Sequence, residues 1–221
     1  MQQIVVTLLY YARAVDPIIL VALGSIAVNQ AKRNETTAQA IKQLVYYCAT
    51  HPDSTIRYKQ LDMLLCVRSD GSYLSESQAC SRSGVNIYIF RGAKNNQNDN
   101  KWAIITISHI IKNVMASASE VEFVALFINT KEAVEFRTTL EEMGYSQPAT
   151  PIPLDKSTYD GIMNWKMQQK LSREIYMCFY CVRDRVKQKH FDVFCKPGLI
   201  NLGCIFNKHH SRAHNKGMRP I

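Results

Sequence analysis

The chain has 221 residues, 47% of them apolar and 20% charged, which is ordinary for a packed globular domain. Its seven cysteines, odd in number and irregularly spaced, exclude a disulfide framework as the source of stability and fit reduced thiols in an intracellular compartment, cytoplasmic or nuclear. The net charge of +9 is one-sided: residues 1–165 hold 15 Lys and Arg against 15 Asp and Glu, while residues 166–221 hold 12 against 3, so the last quarter is either the footprint for a polyanion or a solvated basic face.

The amino-terminal run IVVTLLYYARAVDPIILVALGSIAV is strongly apolar, but Arg13, Asp16 and Pro17 divide it. Neither half reaches the ~20 residues that span a bilayer. Leu20, Leu23 and Ile26 recur at helical spacing, so a buried helix pair is expected, with no membrane partner and no cleavable leader. Helices are expected over 2–13, 17–31 and 36–50, the third ended by THPDST. The period then changes to that of strands near 62–69, 84–91 and 103–109, the last two joined by the polar loop GAKNNQNDNK, which together predict an antiparallel meander. Ser117 followed by Glu120 is a capping box opening a long helix that ends near Gly144. TPIPLDKS reads as a short strand ending on Asp155, residues 170–188 as a further helix, HFDVFCKPG as a last strand and NLGCIFNKHH as a last helix. That order predicts an α/β fold with a mixed sheet.

Three carboxylates take notable places in this pattern: Asp70 at the end of the first strand, Glu122 in the first turns of the long helix, and Asp155 at the end of the fourth strand. Glu120 points to nearly the opposite side of the helix from Glu122 and is accounted for as the cap partner. If Asp70, Glu122 and Asp155 converge, two charges ~4 Å apart repel by roughly 4 kcal/mol at an effective dielectric of 20, so the cluster calls for cations, and hard oxygen ligands favour Mg2+ or Mn2+. Taken singly, the same residues read as a strand-end turn, a solvated helix face and an Asx-turn, and spacing leaves both readings open.

The segments LLYYARAVDP, IKQLVYYCATHPDSTIRY, VRSDGSYLSE, SASEVEFVAL, PLDKST and PGLINLGCIFNKHH, in this order, resemble the carboxy-terminal part of a Copia-type retrotransposon polyprotein over nearly the whole chain. The resemblance implies that residues 1–60 are a helical connection segment at the end of the reverse transcriptase region, 61–210 a ribonuclease H-like domain with a mixed five-stranded sheet and flanking helices, and 211–221 a basic tail. It implies two-metal hydrolysis of the RNA strand of an RNA–DNA hybrid, with Asp70, Glu122 and Asp155 as catalytic and metal-binding residues. Arg183, Arg185, Lys187, Lys189 and Lys208 are the expected nucleic-acid contacts, and the polymerase part of a retroelement polyprotein is a further expected partner.

Two departures from the family pattern concern the chemistry. The family's closing helix carries an aspartate in a run similar to NLADxFTK, whereas this chain reads NLGCIFNK and puts Cys204 at the fourth carboxylate position, and a neutral thiol is a poor magnesium ligand. Tyr176, Cys178 and Tyr180 stand where the family commonly has Asp, Arg and His. The expectation is therefore a ribonuclease H-like domain whose ancestral turnover is impaired by Cys204, with a non-catalytic nucleic-acid-binding retroelement relic as the alternative. No polymerase activity is expected, since the chain has no Asp-Asp pair. A four-thiolate zinc site from Cys178, Cys181, Cys195 and Cys204 is the rival use of the cysteines, opposed by the apolar helical pattern in which Cys178, Cys181 and Cys204 fall.

Overall fold

The structure is a computed structural model that describes residues 2–31, 34–56, 58, 62–90, 103–163, 173–195 and 202–210. Helices α1 (Gln2–Ala14), α2 (Leu20–Val28) and α3 (Glu35–Thr50) come first, with a 3₁₀ turn Pro17–Ile19 leading into α2. The Asp16 and Pro17 that split the apolar run make that turn: Asp16 Oδ1 accepts a hydrogen bond from Ile18 N at 3.3 Å, and Pro17 sits where a missing N–H costs nothing. Asn34 caps α3 by accepting from Thr37 N at 2.8 Å. Ala12, Ile19, Leu20, Leu23, Ile26 and Leu44 bury one another in a small core. Among the described residues no helix is long and apolar enough to cross a membrane.

Strands β1 (Leu64–Ser72), β2 (Ser81–Phe90) and β3 (Ile105–Ile111) form the antiparallel meander. β1 runs further than 62–69, so Asp70 does not end it. Asp70 lies within the ladder opposite Gly84, and Gly71 and Ser72 still pair with Ser83 and Arg82. The chain reverses only over 73–80, where Leu74, Gln78 and Ala79 adopt positive φ. Loop 92–101 lies outside the described residues.

Helix α4 (Ala118–Glu142) follows, capped as its sequence predicts: Ser117 Oγ accepts from Glu120 N at 3.3 Å, and Glu120 Oε2 accepts from Ala116 N at 2.8 Å. It ends where Gly144 takes φ +92 and Tyr145 N bonds Leu140 O, a conformation a Cβ would oppose. Then come β4 (Thr150–Leu154), α5 (Lys156–Met163), α6 (Arg173–Lys187), β5 (Phe191–Cys195) and a closing 3₁₀ turn, Leu202–Phe206. Two elements differ from the sequence expectation. α5 is additional, started by Thr158 N donating to Asp155 Oδ1 at 2.8 Å, and the closing element is a 3₁₀ turn in place of the expected α-helix.

β4 packs beside β1, so the strands lie in the order β3-β2-β1-β4-β5, hydrogen-bonded as an antiparallel three and a parallel two. The prolines of β4 explain the seam. Thr150 N bonds toward β5 at His190 O, so the alternate positions 151 and 153 face β1, and both are Pro without an N–H. β4 is held beside β1 by side chains instead. Gln147 accepts from Leu65 N at 3.0 Å and donates to Met63 O at 2.8 Å, and the Cys66 thiol reaches Pro151 O. Buried Arg137 of α4 fixes the approach, donating to Gln147 O, Pro148 O and Thr150 Oγ1. The main core lies between this sheet and α4 and α6, with Leu65, Val67, Val85, Ile87, Leu126, Ile152 and Phe179 at its centre.

Candidate active site

β1 alternates. Leu65 and Val67 face α4, so Arg68 and Asp70 face the other side, where the closing turn lies. Two glycines permit that contact: a Cβ on Gly84 would stand 2.5 Å from Gly203 O, and one on Gly203 would stand 3.1 Å from Asp70 Cβ. Ser72 Oγ donates to Asn207 O at 2.7 Å and Ser108 Oγ to Phe206 O at 2.6 Å, tying the turn to β1 and β3. On the opposite face, buried Asn129 sets the register of α4 through bonds to Ser69 Oγ at 2.7 Å and Gly84 O at 3.3 Å. Glu122 is seven residues earlier, two turns along the same stripe. It reaches the end of β1, where its Oε1 accepts from Gly71 N at 3.2 Å.

Asp70 and Glu122 therefore meet, their carboxyl groups hydrogen-bonded to each other, and the charge of Asp155 acts on both. Burial pushes the Glu122 carboxyl up to about 9, with the charges of Asp70 and Asp155 adding and the Gly71 N–H opposing. Asp70 is raised too, first by burial, against the Asn207 hydrogen bond and the charge of Lys208. The pair thus keeps a proton near neutrality. Asp155 is exposed, with one oxygen accepting from the first turn of α5 as a helix cap, and its charge reaches the buried pair. Cys204 lies close enough for the charge of Asp70 to raise its thiol, after burial, which keeps it in the neutral, poorly ligating form.

Asn207 is the residue the sequence reading missed. It is 0% exposed; its Nδ2 donates to Asp70 Oδ2 at 2.8 Å, and its Oδ1 has no hydrogen-bond partner among the described residues. The signal was its place three residues after Cys204, which in a helical turn presents both to the same side.

Of the five expected nucleic-acid contacts, Lys208 is beside the acids, its Nζ 3.9 Å from Asp70 Oδ2. Arg185, Lys187 and Lys189 are not. α6 feeds β5 at Phe191, opposite Thr150, whereas Asp155 follows Leu154 at the other end of the same strand pair, about 13 Å away by strand rise. Arg185 Nη1 contacts His190 Nδ1 at 3.1 Å. Arg183 lies over the rings of Tyr180 at 4.6 Å and Phe179 at 5.7 Å, and Tyr176 stacks on Tyr180 at 6.1 Å. The positions 176, 180 and 183 thus form an aromatic and cationic ladder along α6.

Among the described residues no three or more His, Cys, Asp and Glu side chains form a group able to hold a metal ion. This removes the four-thiolate zinc reading, whose Cys181 and Cys195 are exposed. Nor are Asp70, Glu122 and Asp155 such a group: Asp70 and Glu122 meet, and Asp155 acts on them only through its charge. The chemistry nevertheless fits a small hard cation. The donors are oxygens, burial makes the pair keep a proton, and among the described residues the buried amide oxygen of Asn207, whose nitrogen bonds Asp70, has no donor.

No protein-family model and no curated protein matches the chain. Its fold is similar to solved ribonuclease H domains. The N-terminal RNase H domain of a Mycobacterium tuberculosis protein, solved as a maltose-binding-protein fusion, is 12% identical over 71% of this chain and 94% of that one, at a TM-score of 0.42. A ribonuclease H1 isolated from compost by a metagenomic approach, solved in complex with RNA/DNA hybrid, is 11% identical over 62% and 88%, at 0.43. A foamy viral protease-reverse transcriptase in complex with dsDNA is 11% identical over 66% and 90%, at 0.41.

Proposed function

We propose that residues 61–210 are the ribonuclease H-like domain of a Copia-type Pol polyprotein, preceded by its connection segment, and that the domain binds RNA–DNA hybrid with hydrolytic turnover impaired at Cys204. The observation that carries this reading is the buried contact of Asp70 with Glu122, with Asp155 acting on both and Cys204 facing Asp70. A buried acid pair that must share a proton is a poor way to stabilise a fold, and such perturbed groups concentrate at functional sites. Asp70 and Glu122, with Asp155 adding its charge, would hold the Mg2+ or Mn2+ of the site. A bound divalent ion supplies phosphate polarisation and a nucleophilic water at neutral pH. The chain's own groups do the rest. Asp70 and Glu122 would give up their shared proton to a bound cation, Lys208, 3.9 Å from Asp70 Oδ2, would meet a phosphate there, and the Tyr176–Tyr180–Arg183 ladder offers stacking surface to the nucleic acid.

Fluorescence anisotropy with a labelled RNA–DNA hybrid in EDTA tests the binding half. Saturable binding that weakens linearly in log–log against salt supports it, and no binding at low salt overturns it. The non-catalytic relic makes the same binding prediction and differs in chemistry: it cleaves no hybrid even when the fourth carboxylate is restored.

A further inference from the structure

We propose that Asn207 is a direct oxygen ligand for a divalent cation in this site, supplying through its side-chain carbonyl the donor that Cys204 does not. The inference rests on reading the Asp70–Glu122 cluster as a cation site.

Four observations lead to it. The amide of Asn207 is fully buried, yet among the described residues its Oδ1 has no hydrogen-bond partner, an arrangement a folded protein tolerates where the atom has another use. The other end of the same amide is already at Asp70, with Nδ2 2.8 Å from Oδ2. Turning the amide over exchanges its two nearly isosteric ends, which places Oδ1 at about that distance from Asp70 Oδ2. Adjacent ligands of an octahedral ion at ~2.1 Å stand about 3 Å apart, so the pair then has the spacing of neighbouring ligands on one Mg2+ or Mn2+.

The third observation is position. Asn207 N bonds Cys204 O at 3.4 Å, so the two residues lie one turn apart on the same side of the closing turn. The fourth is rigidity. Asn207 O and Phe206 O accept hydrogen bonds from Ser72 and Ser108, which fixes the backbone under the amide before any ion arrives. Here Nδ2 bonds Asp70; on binding a cation the carbonyl would take its place, and no other element would have to move. Because Asn is neutral, the set carries one negative charge fewer than four carboxylates would.

Mn2+ titration of the full chain, read from the electron paramagnetic resonance signal of free Mn2+, tests this without reference to turnover. The unsubstituted chain should bind Mn2+, and N207L should weaken binding by at least about tenfold, since even residues behind the ligands of metal sites cost that much. N207D should tighten it, and D70N should abolish it. Melting in EDTA confirms that each variant is folded. If N207L fails to fold, N207D decides: tighter binding supports the assignment, and unchanged or weaker binding overturns it. Unchanged Mn2+ affinity in folded N207L together with abolished binding in D70N overturns the role of Asn207 and leaves the acidic site standing. No Mn2+ binding by the unsubstituted chain, or equal binding in D70N, overturns the cation site itself.

Discussion

Glu122 is the residue whose environment has the most direct consequence in solution. Its ordinary value is 4.5 and its folded value about 9, so between these limits the folded chain binds more protons than the unfolded one. Stability from this source is complete below 4.5 and is lost as pH rises through 9. Melting temperatures in EDTA should therefore fall across that window in the unsubstituted chain, and the fall should be much shallower in E122Q, which keeps the shape and cannot ionise. Parallel curves would show that the pair is not proton-linked. Asp70 and Glu122 were legible in the sequence because one interrupts an apolar strand pattern and the other remains once the capping box has claimed Glu120. Asp155 was legible in both of its readings, of which the structure shows the turn-forming one, its oxygen accepting from Thr158 N. Asn207 was not, because an Asn beside Lys and two His reads as polar tail. Its meaning depends on Gly203 and Gly84 letting the turn settle onto Asp70, a contact between residues more than a hundred positions apart.

The elements that present these residues rest on few devices. Gly84 lies where a Cβ would fall 2.5 Å from Gly203 O, against backbone that cannot step aside. G84A should lift the closing turn from the sheet, costing about 1–3 kcal/mol in urea denaturation and weakening Mn2+ binding with it. An unaffected variant would mean the turn is not seated on β1 and β2. The helical segment is tied to the sheet through Arg82, which is 0% exposed. Its guanidinium donates to Glu76 Oε1 at 2.6 Å, Ser108 Oγ at 2.8 Å and, in α2, Ser25 Oγ at 3.3 Å, over the flat patch left by Gly24. R82M leaves Glu76 buried without its partner and should cost about 3–5 kcal/mol. A destabilisation below about 1 kcal/mol would show that the docking does not depend on it. Helix caps and strand alternation were readable because they are local. The three-plus-two division of the sheet was readable only in part: two prolines in β4 announce missing donors, but not that Gln147 and Arg137 replace them from α4 and its following loop. α5 was not legible, since KSTYDGIM is only about two turns long and its cap, Asp155, reads equally as the last residue of a strand.

Across the chain, the basic residues after 165 that the structure describes are divided in space. Lys208 faces the acids, and Arg185, Lys187 and Lys189 stand at the far end of β4 and β5. One duplex lying across both places would touch them together. Neutralising Arg185, Lys187 and Lys189 should weaken hybrid binding and reduce the log–log salt slope by about one for each phosphate no longer neutralised, while leaving Mn2+ affinity unchanged. An unaltered slope would place the footprint elsewhere. Charge counting found the basic segment, but which cations sit beside the chemistry was fixed by the parallel pairing of β4 with β5. The decisive measurement is cleavage of an RNA–DNA hybrid labelled in the RNA strand, with Mg2+ and with EDTA, by the unsubstituted chain, C204D and C204D/D70N. C204D places a hard oxygen where the neutral thiol stands, and it should cut the RNA strand in Mg2+ at least about a hundredfold faster than the unsubstituted chain, the scale of a catalytic group restored. EDTA or the added D70N should abolish the cutting. A folded, hybrid-binding C204D that does not cleave, or an unsubstituted chain that cleaves as fast, would contradict the assignment of impaired turnover to Cys204.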